Sequence, residues 1–177
     1  MGLKIENVSK RYGEKVAVDN ISLEMNEPGV FGLLGTNGAG KTTTIRMLLG
    51  ILKKDSGEIT WNGKEVKRKN VNFGYLPEER GIYPKVKIFD QLVYFAELKG
   101  MKKQQAKEEI NYWMGRLKVE EYKEMLAEKL SKGNQQKIQF ITAILNNPEL
   151  IVLDEPFSGL NPVNTELLKD VILELVK

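Results

Sequence analysis

The sequence predicts an α/β protein with a strand–loop–helix core, an N-terminal antiparallel β region and an inserted helical subdomain. Three observations carry that prediction. The apolar run Val30-Phe31-Gly32-Leu33-Leu34 reads as a buried strand that feeds a glycine-rich loop, and residues 44–49 beyond the loop read as a helix. A second run, Leu150-Ile151-Val152-Leu153, has the unbroken apolar character of a strand buried on both faces. Between the two runs the apolar spacing changes from that of strands to that of helices.

Taken in order, Leu3, Ile5 and Asn7 alternate with polar residues and suggest an edge strand, and Lys10-Arg11-Tyr12-Gly13 suggests a turn. Residues 16–18 and 21–23 continue the β pattern, and Pro28-Gly29 breaks it ahead of the core strand. Asp55-Ser56-Gly57 reads as a turn. Asn62-Gly63, flanked by Ile59-Thr60-Trp61 and Val66, is a strong hairpin signal. A short strand is expected over 71–75, ending at Leu76-Pro77-Glu78-Glu79. Residues 88–98 and 104–117 carry helical spacing, with Ala106, Ile110, Trp113, Met114 and Leu117 on one face as packing residues. The expected division of this single domain is a core formed by 1–79 and 146–177 around a helical subdomain at 80–145. The last segment, 165–176, reads as an amphipathic helix with Leu167, Leu168, Val171, Ile172 and Leu175 inward.

The loop Gly35-Thr36-Asn37-Gly38-Ala39-Gly40-Lys41-Thr42-Thr43 has the form G-x-x-x-x-G-K-[ST] of a phosphate-binding loop. Glycines let successive backbone N–H groups turn inward around an anion without Cβ clashes. The following helix adds its free N–H groups and the positive end of its dipole. Lys41 can reach the β- and γ-phosphates, and the Thr42 hydroxyl can ligate Mg²⁺. Asp154 and Glu155 stand at the carboxyl end of the second apolar strand, the edge where open α/β sheets bind ligands. Successive residues there point to opposite sides, so Asp154 can serve the Mg²⁺ shell while Glu155 accepts a proton from an attacking water. Ser131 and Gly133 precede a stretch of helical spacing at Ile138, Ile141 and Leu145. They read either as an ordinary capped helix start or as a second anion site.

Composition removes other chemistries. The chain has no cysteine and no histidine, so disulfides, thiolate metal sites and imidazole catalysis are absent from it. With 27 basic against 24 acidic residues, the net charge of +3 does not argue for nucleic-acid binding. The short clusters Lys67-Arg68-Lys69 and Lys102-Lys103 read as solvated faces. No run approaches the ~18 apolar residues of a membrane span, and the start lacks a signal-peptide core, so the chain is expected to be soluble by itself.

These motifs, in this order, resemble the nucleotide-binding subunit of an ATP-binding cassette (ABC) transporter, and the likeness runs from Leu3 to the last residue. By that resemblance Tyr12 matches the adenine-stacking aromatic and residues 35–43 the phosphate loop. Tyr75-Leu76-Pro77-Glu78-Glu79 falls at the glutamine loop, and Leu130-Ser131-Lys132-Gly133-Asn134-Gln135-Gln136 at the signature. Asp154 and Glu155 match the second nucleotide motif with its catalytic glutamate, and Ser158-Gly159-Leu160-Asn161-Pro162 the dimer-facing loop. The resemblance implies a P-loop ABC-type ATPase that uses ATP and Mg²⁺, with Lys41, Glu78 and Glu155 catalytic and Thr42, Glu78 and Asp154 at the metal. It implies two subunits paired head to tail, Ser131 and Gly133 serving the partner's ATP. It also implies separate permease subunits that hold the protein at the cytoplasmic face of the membrane.

Three positions depart from the family pattern. Glu78 stands for the sensing glutamine, Lys132 and Asn134 for Gly and Gln of the signature, and Asn161 for the aspartate of the dimer loop. Leu76-Pro77-Glu78-Glu79-Arg80-Gly81 and the Lys-Gly-Asn-Gln-Gln-Lys signature resemble the branch serving sodium-extrusion and drug-resistance exporters. The family's switch histidine lies on a strand after the final helix seen here, so the chain is expected to lack that region and to hydrolyse ATP poorly as it stands. Relatives in DNA repair carry a long coiled-coil insertion that the spacing from Lys41 to Asp154 does not allow. Ribosomal relatives usually carry two cassettes per chain. A binding-only regulatory subunit is the remaining class, opposed by the intact Glu155, and a GTPase would need an N-K-x-D motif that is absent.

Overall fold

The computed structural model describes residues 2–67, 69–79 and 81–176. Arg68 of the first basic cluster, Arg80 of the glutamine-loop segment and the final Lys177 lie outside the described residues. The chain forms two compact units, one running to Val71 and the other spanning Asn72–Leu175.

The first unit is an antiparallel sheet with one helix. Strands β1 (Leu3–Tyr12), β2 (Lys15–Met25), β3 (Ser56–Trp61) and β4 (Lys64–Glu65) lie in the order β2-β1-β3-β4. Strand β1 is therefore interior, not the edge strand its alternation suggested, because both of its backbone edges find partners. Lys10, Arg11 and Tyr12 belong to β1 rather than to a turn, and the turn is the following Gly13-Glu14 pair, with Gly13 at φ +58°. The Asn62-Gly63 hairpin forms as expected, both residues at positive φ and Trp61 opposite Lys64. Helix α1 (Lys41–Leu48) buries Thr44, Ile45, Met47 and Leu48.

Opposite β1, strand β2 carries an extra residue. Lys10 pairs with Val18 and Arg11 with Val16, which leaves Ala17 as a bulge. The bulge aims the Ala17 carbonyl at Gly40, where an added Cβ would lie well inside the 3.0 Å that Cβ atoms keep.

Residues 30–34 do not form the predicted strand. They have no regular structure, with Val30 64% and Leu34 92% exposed. The residue types suit a buried strand, but a strand exists only where a neighbour completes its hydrogen-bond ladder. Among the described residues none pairs with this run.

The second unit packs helices on a two-stranded parallel sheet of β5 (Phe73–Leu76) and β6 (Leu150–Leu153), with Leu76 opposite Leu153. Helices α2 (Ile88–Leu98), α3 (Lys103–Arg116), α4 (Lys132–Ile144) and α5 (Pro162–Leu175) complete it. Of β6 only Val152 is fully buried, so the double-sided burial read from its sequence is partial. Ala106, Ile110, Met114 and Leu117 face a core shared with Ile88 and Leu92 of α2 and with Ile138 and Ile141 of α4. Leu168 and Val171 of α5 join that core, while Leu167, Ile172 and Leu175 pack on it half-buried. Helix α4 crosses β5 so closely that Gly74 has no room for a Cβ beside the Ala143 carbonyl.

Candidate active site

Residues 35–40 form the loop ahead of α1, and two left-handed glycines shape it, Gly38 at φ +83° and Gly40 at φ +86°. Ala39 N donates to Thr36 O at 3.1 Å and closes the turn. Among the described residues no side chain caps the N-terminus of α1, so its first N–H groups are left to serve an anion. The Lys41 ammonium folds back over the loop and donates to Gly35 O at 2.7 Å and Thr36 O at 3.0 Å. Those carbonyls hold the cation over the loop without neutralising it. A phosphate arriving there meets a positive charge already in place.

Tyr12 closes β1 at the tip of the β1–β2 hairpin, half exposed. It shares the first unit with the loop and α1, so the residues expected at the base and at the phosphates belong to one compact body.

The second unit holds Glu78, Ser131, Gly133, Asp154 and Glu155. Parallel pairing of β5 with β6 brings the Glu78 segment and Asp154 to the same sheet edge, and Asp154 N donates to Leu76 O at 2.9 Å. The Asp154 side chain is buried, and among the described residues its Oδ2 has no hydrogen-bond partner. A buried, unpartnered carboxylate oxygen is costly unless a cation completes it. It therefore fits the hard-oxygen donor that Mg²⁺ takes from one or two carboxylates together with phosphate oxygens. Among the described residues no group of three or more carboxylates is arranged to hold a metal ion by itself. Glu155 is exposed and sits at φ +54°, a strained conformation for a residue with a side chain. Glu78 is exposed as well.

Ser131 caps α4 through its Oγ, which accepts from Asn134 N at 3.3 Å. Gly133 is buried, and a Cβ on it would press on Gly159 O at 3.2 Å and on the Leu160 side chain at 3.3 Å. The signature glycine thus lets α4 approach the loop after Glu155. Lys132 is exposed.

Three glutamines of α4 do work that the sequence reading missed. The Gln135 amide donates to Ala127 O and Leu130 O, and the Gln136 amide to Glu155 O and Pro156 O. The Gln139 amide donates to Glu79 O at 3.1 Å. One helix therefore anchors the backbones that carry Ser131, Glu155 and Glu78. The available signal was the spacing of Gln135, Gln136 and Gln139, which puts three amides on one face of a helix. Asn161 is also explained locally: its Oδ1 accepts from Asn164 N at 2.9 Å and caps α5.

A glycine-rich loop of this geometry, opening an uncapped helix, defines a phosphate-binding α/β protein. The family model for ABC transporters matches residues 18–158, and the chain belongs to the ABC transporter ATP-binding family. It is 55% identical over 174 residues to the ABC transporter ATP-binding protein YhaQ of Bacillus subtilis, an alignment covering 98% of this chain and 58% of YhaQ. It is 32% identical over 180 residues to the lipopolysaccharide export system ATP-binding protein LptB of Haemophilus influenzae, covering 98% of this chain and 75% of LptB. The solved structure of an ABC transporter ATP-binding protein from Pyrococcus furiosus superposes with a TM-score of 0.86 at 28% identity, over 99% of this chain and 86% of that one. The chain thus spans less than two thirds of YhaQ's length.

Proposed function

We propose that this chain is the ATP-binding and ATP-hydrolysing part of an ABC transporter that drives a substrate through separate permease subunits. The observation that carries the proposal is the phosphate loop itself, with its left-handed Gly38 and Gly40, its uncapped helix and the Lys41 ammonium laid across it. In this reading Tyr12 stacks on the base, residues 35–43 with Lys41 hold the triphosphate, and Thr42, Asp154 and Glu78 attend the metal. Mg²⁺, when bound, screens the phosphate oxygens during transfer. Glu155 orients and deprotonates the attacking water. Ser131 and Gly133 serve the ATP of a second copy in a head-to-tail dimer, which closes both sites by two-fold symmetry.

Among the described residues no helix is long and apolar enough to cross a membrane. In this reading, which rests on the family, separate permease subunits hold the protein at the cytoplasmic face of the membrane. The Glu78 segment and the Lys132 signature favour the sodium-extrusion and drug-resistance branch within the family. The export system named for LptB agrees with an outward direction.

Glu155→Gln tests the catalytic assignment. ATP binding should persist while hydrolysis slows about 10²–10⁴-fold, the usual contribution of a positioned base. Unchanged turnover in a folded variant would remove Glu155 from that role. The dimer is tested by mixing Ser131→Arg with Lys41→Ala subunits, a pairing that leaves one composite site intact. Mixed dimers that trap no nucleotide would refute the head-to-tail arrangement.

A further inference from the structure

Tyr12 is not a free surface tyrosine. The Lys10 ammonium lies over its ring, 5.6 Å from the centroid, within the range of a cation–π contact. Asp55 in turn holds Lys10. Its Oδ1 accepts from Lys10 Nζ at 2.7 Å, and its Oδ2 accepts from Arg11 N at 2.7 Å. Asp55 N also donates to Ser9 O at 3.0 Å. One residue just ahead of β3 therefore grips three successive residues of β1, and Tyr12 is the next in line. The Lys10 side chain is only 13% exposed, so the ammonium is packed in place rather than waving in solvent. These donors hold the Asp55 carboxyl below the usual carboxylate range, with the Lys10 hydrogen bond the larger cause and the Arg11 N–H next.

A tyrosine ring has two faces. With Lys10 fixed on one of them, a base can stack only on the other. We propose that Asp55 and Lys10 are positioning residues for the nucleobase: they lock the end of β1 and occupy one face of Tyr12, so that the opposite face is presented to adenine. This inference rests on the reading of Tyr12 as the base-stacking residue and deepens it. Both residues lie outside the 35–43 loop that holds the triphosphate in this reading. The grip acts on orientation of the base, and the ring gains its order before the nucleotide arrives.

The test separates base from phosphate. Calorimetric titrations with Mg·ATP and with Mg·tripolyphosphate, which has no base, are run on the wild-type chain, Asp55→Asn, Lys10→Met, Lys10→Arg and Tyr12→Ala, with melting temperatures as the folding control. Asp55→Asn and Lys10→Met should each weaken Mg·ATP about three- to tenfold, the scale of a lost cation–π contact with some loss of order. Tripolyphosphate binding should stay unchanged, and Lys10→Arg should restore ATP affinity. In a Tyr12→Ala background Asp55→Asn should cost nothing more. Equal weakening of both ligands would show a merely structural role and overturn the proposal. So would full ATP affinity in Asp55→Asn and Lys10→Met beside a weakened Tyr12→Ala. If Tyr12→Ala itself binds ATP as well as wild type, the underlying reading of Tyr12 has failed, and the proposal goes with it.

Discussion

Replacing Gly40 by alanine should damage both stability and nucleotide binding, and replacing Gly38 by alanine should do markedly less. Both glycines are left-handed, at φ +86° and φ +83°, which costs an L-residue roughly 1–2 kcal/mol. They differ in what surrounds them. Around Gly38 an added Cβ meets nothing within 4 Å. At Gly40 it would press into the bulged Ala17 carbonyl and come to 3.1 Å from the Val18 side chain. Backbone cannot yield as a side-chain tip can, so β2 and the start of α1 must separate, and such overpacking adds about 1–3 kcal/mol. The expected losses are thus about 1–2 kcal/mol for Gly38→Ala and about 2–5 kcal/mol for Gly40→Ala. At roughly 2–4 °C per kcal/mol for a chain of this size, the second variant should melt clearly lower.

The forced separation also moves Lys41, the first residue of α1. A displacement approaching 1 Å at such a group can cost on the order of a hundredfold in function. Urea melts and Mg·ATP titrations of the two variants check both parts. Equal destabilisation and equal ATP affinity would refute the reasoning, because the contacts with Ala17 and Val18 are what set Gly40 apart from Gly38.

Two further predictions follow from the second unit. Lys137 is 3% exposed, donates to Leu117 O at 3.1 Å, and has its pKa pushed below 10.5, first by burial and then by Lys118. Between that lowered value and 10.5 the unfolded chain binds more protons than the folded one. Stability should therefore rise with pH across that window, by at most about 1.4 kcal/mol per pH unit. Below the window the charged amine disfavours folding in full. Lys137→Met should lack the rise, and parallel urea-melt profiles for the two proteins would refute it. Ile110 is fully buried in α3, so Ile110→Ala should cost about 2–5 kcal/mol, whereas Leu173→Ala on the exposed side of α5 should stay within about 0.5 kcal/mol. Similar denaturation midpoints for those two would contradict the core described here.

Much of the second unit was legible in residue order because its signals are local. The spacing of Ala106, Ile110, Met114 and Leu117 defines one face of a helix whatever that face meets, and it is the face that α3 buries. Asn62-Gly63 specifies its own turn, since both residues tolerate positive φ. The glycine pattern of residues 35–40 was readable for the same reason: the loop needs left-handed backbone, and glycine supplies it. What was not legible depends on distant partners. Leu3 and Ile5 look alike in an edge and in an interior strand, and only the arrival of β3 on the second side makes β1 interior.

The sequence by itself determined the family, the order of the motifs and the chemical type of each candidate group, because these are properties of residue identity and spacing. Tertiary structure decided the rest. It left residues 30–34 without a ladder and exposed, although their composition favours a strand, because backbone hydrogen bonds need a neighbour that composition cannot name. It set the Ala17 bulge against Gly40 and gave that glycine its necessity. It buried Asp154 Oδ2 without a donor among the described residues, and it joined Asp55 to Lys10 across 45 positions of chain. Such contacts form where the folded backbone closes loops between remote segments, and nothing in the local sequence encodes which segments meet.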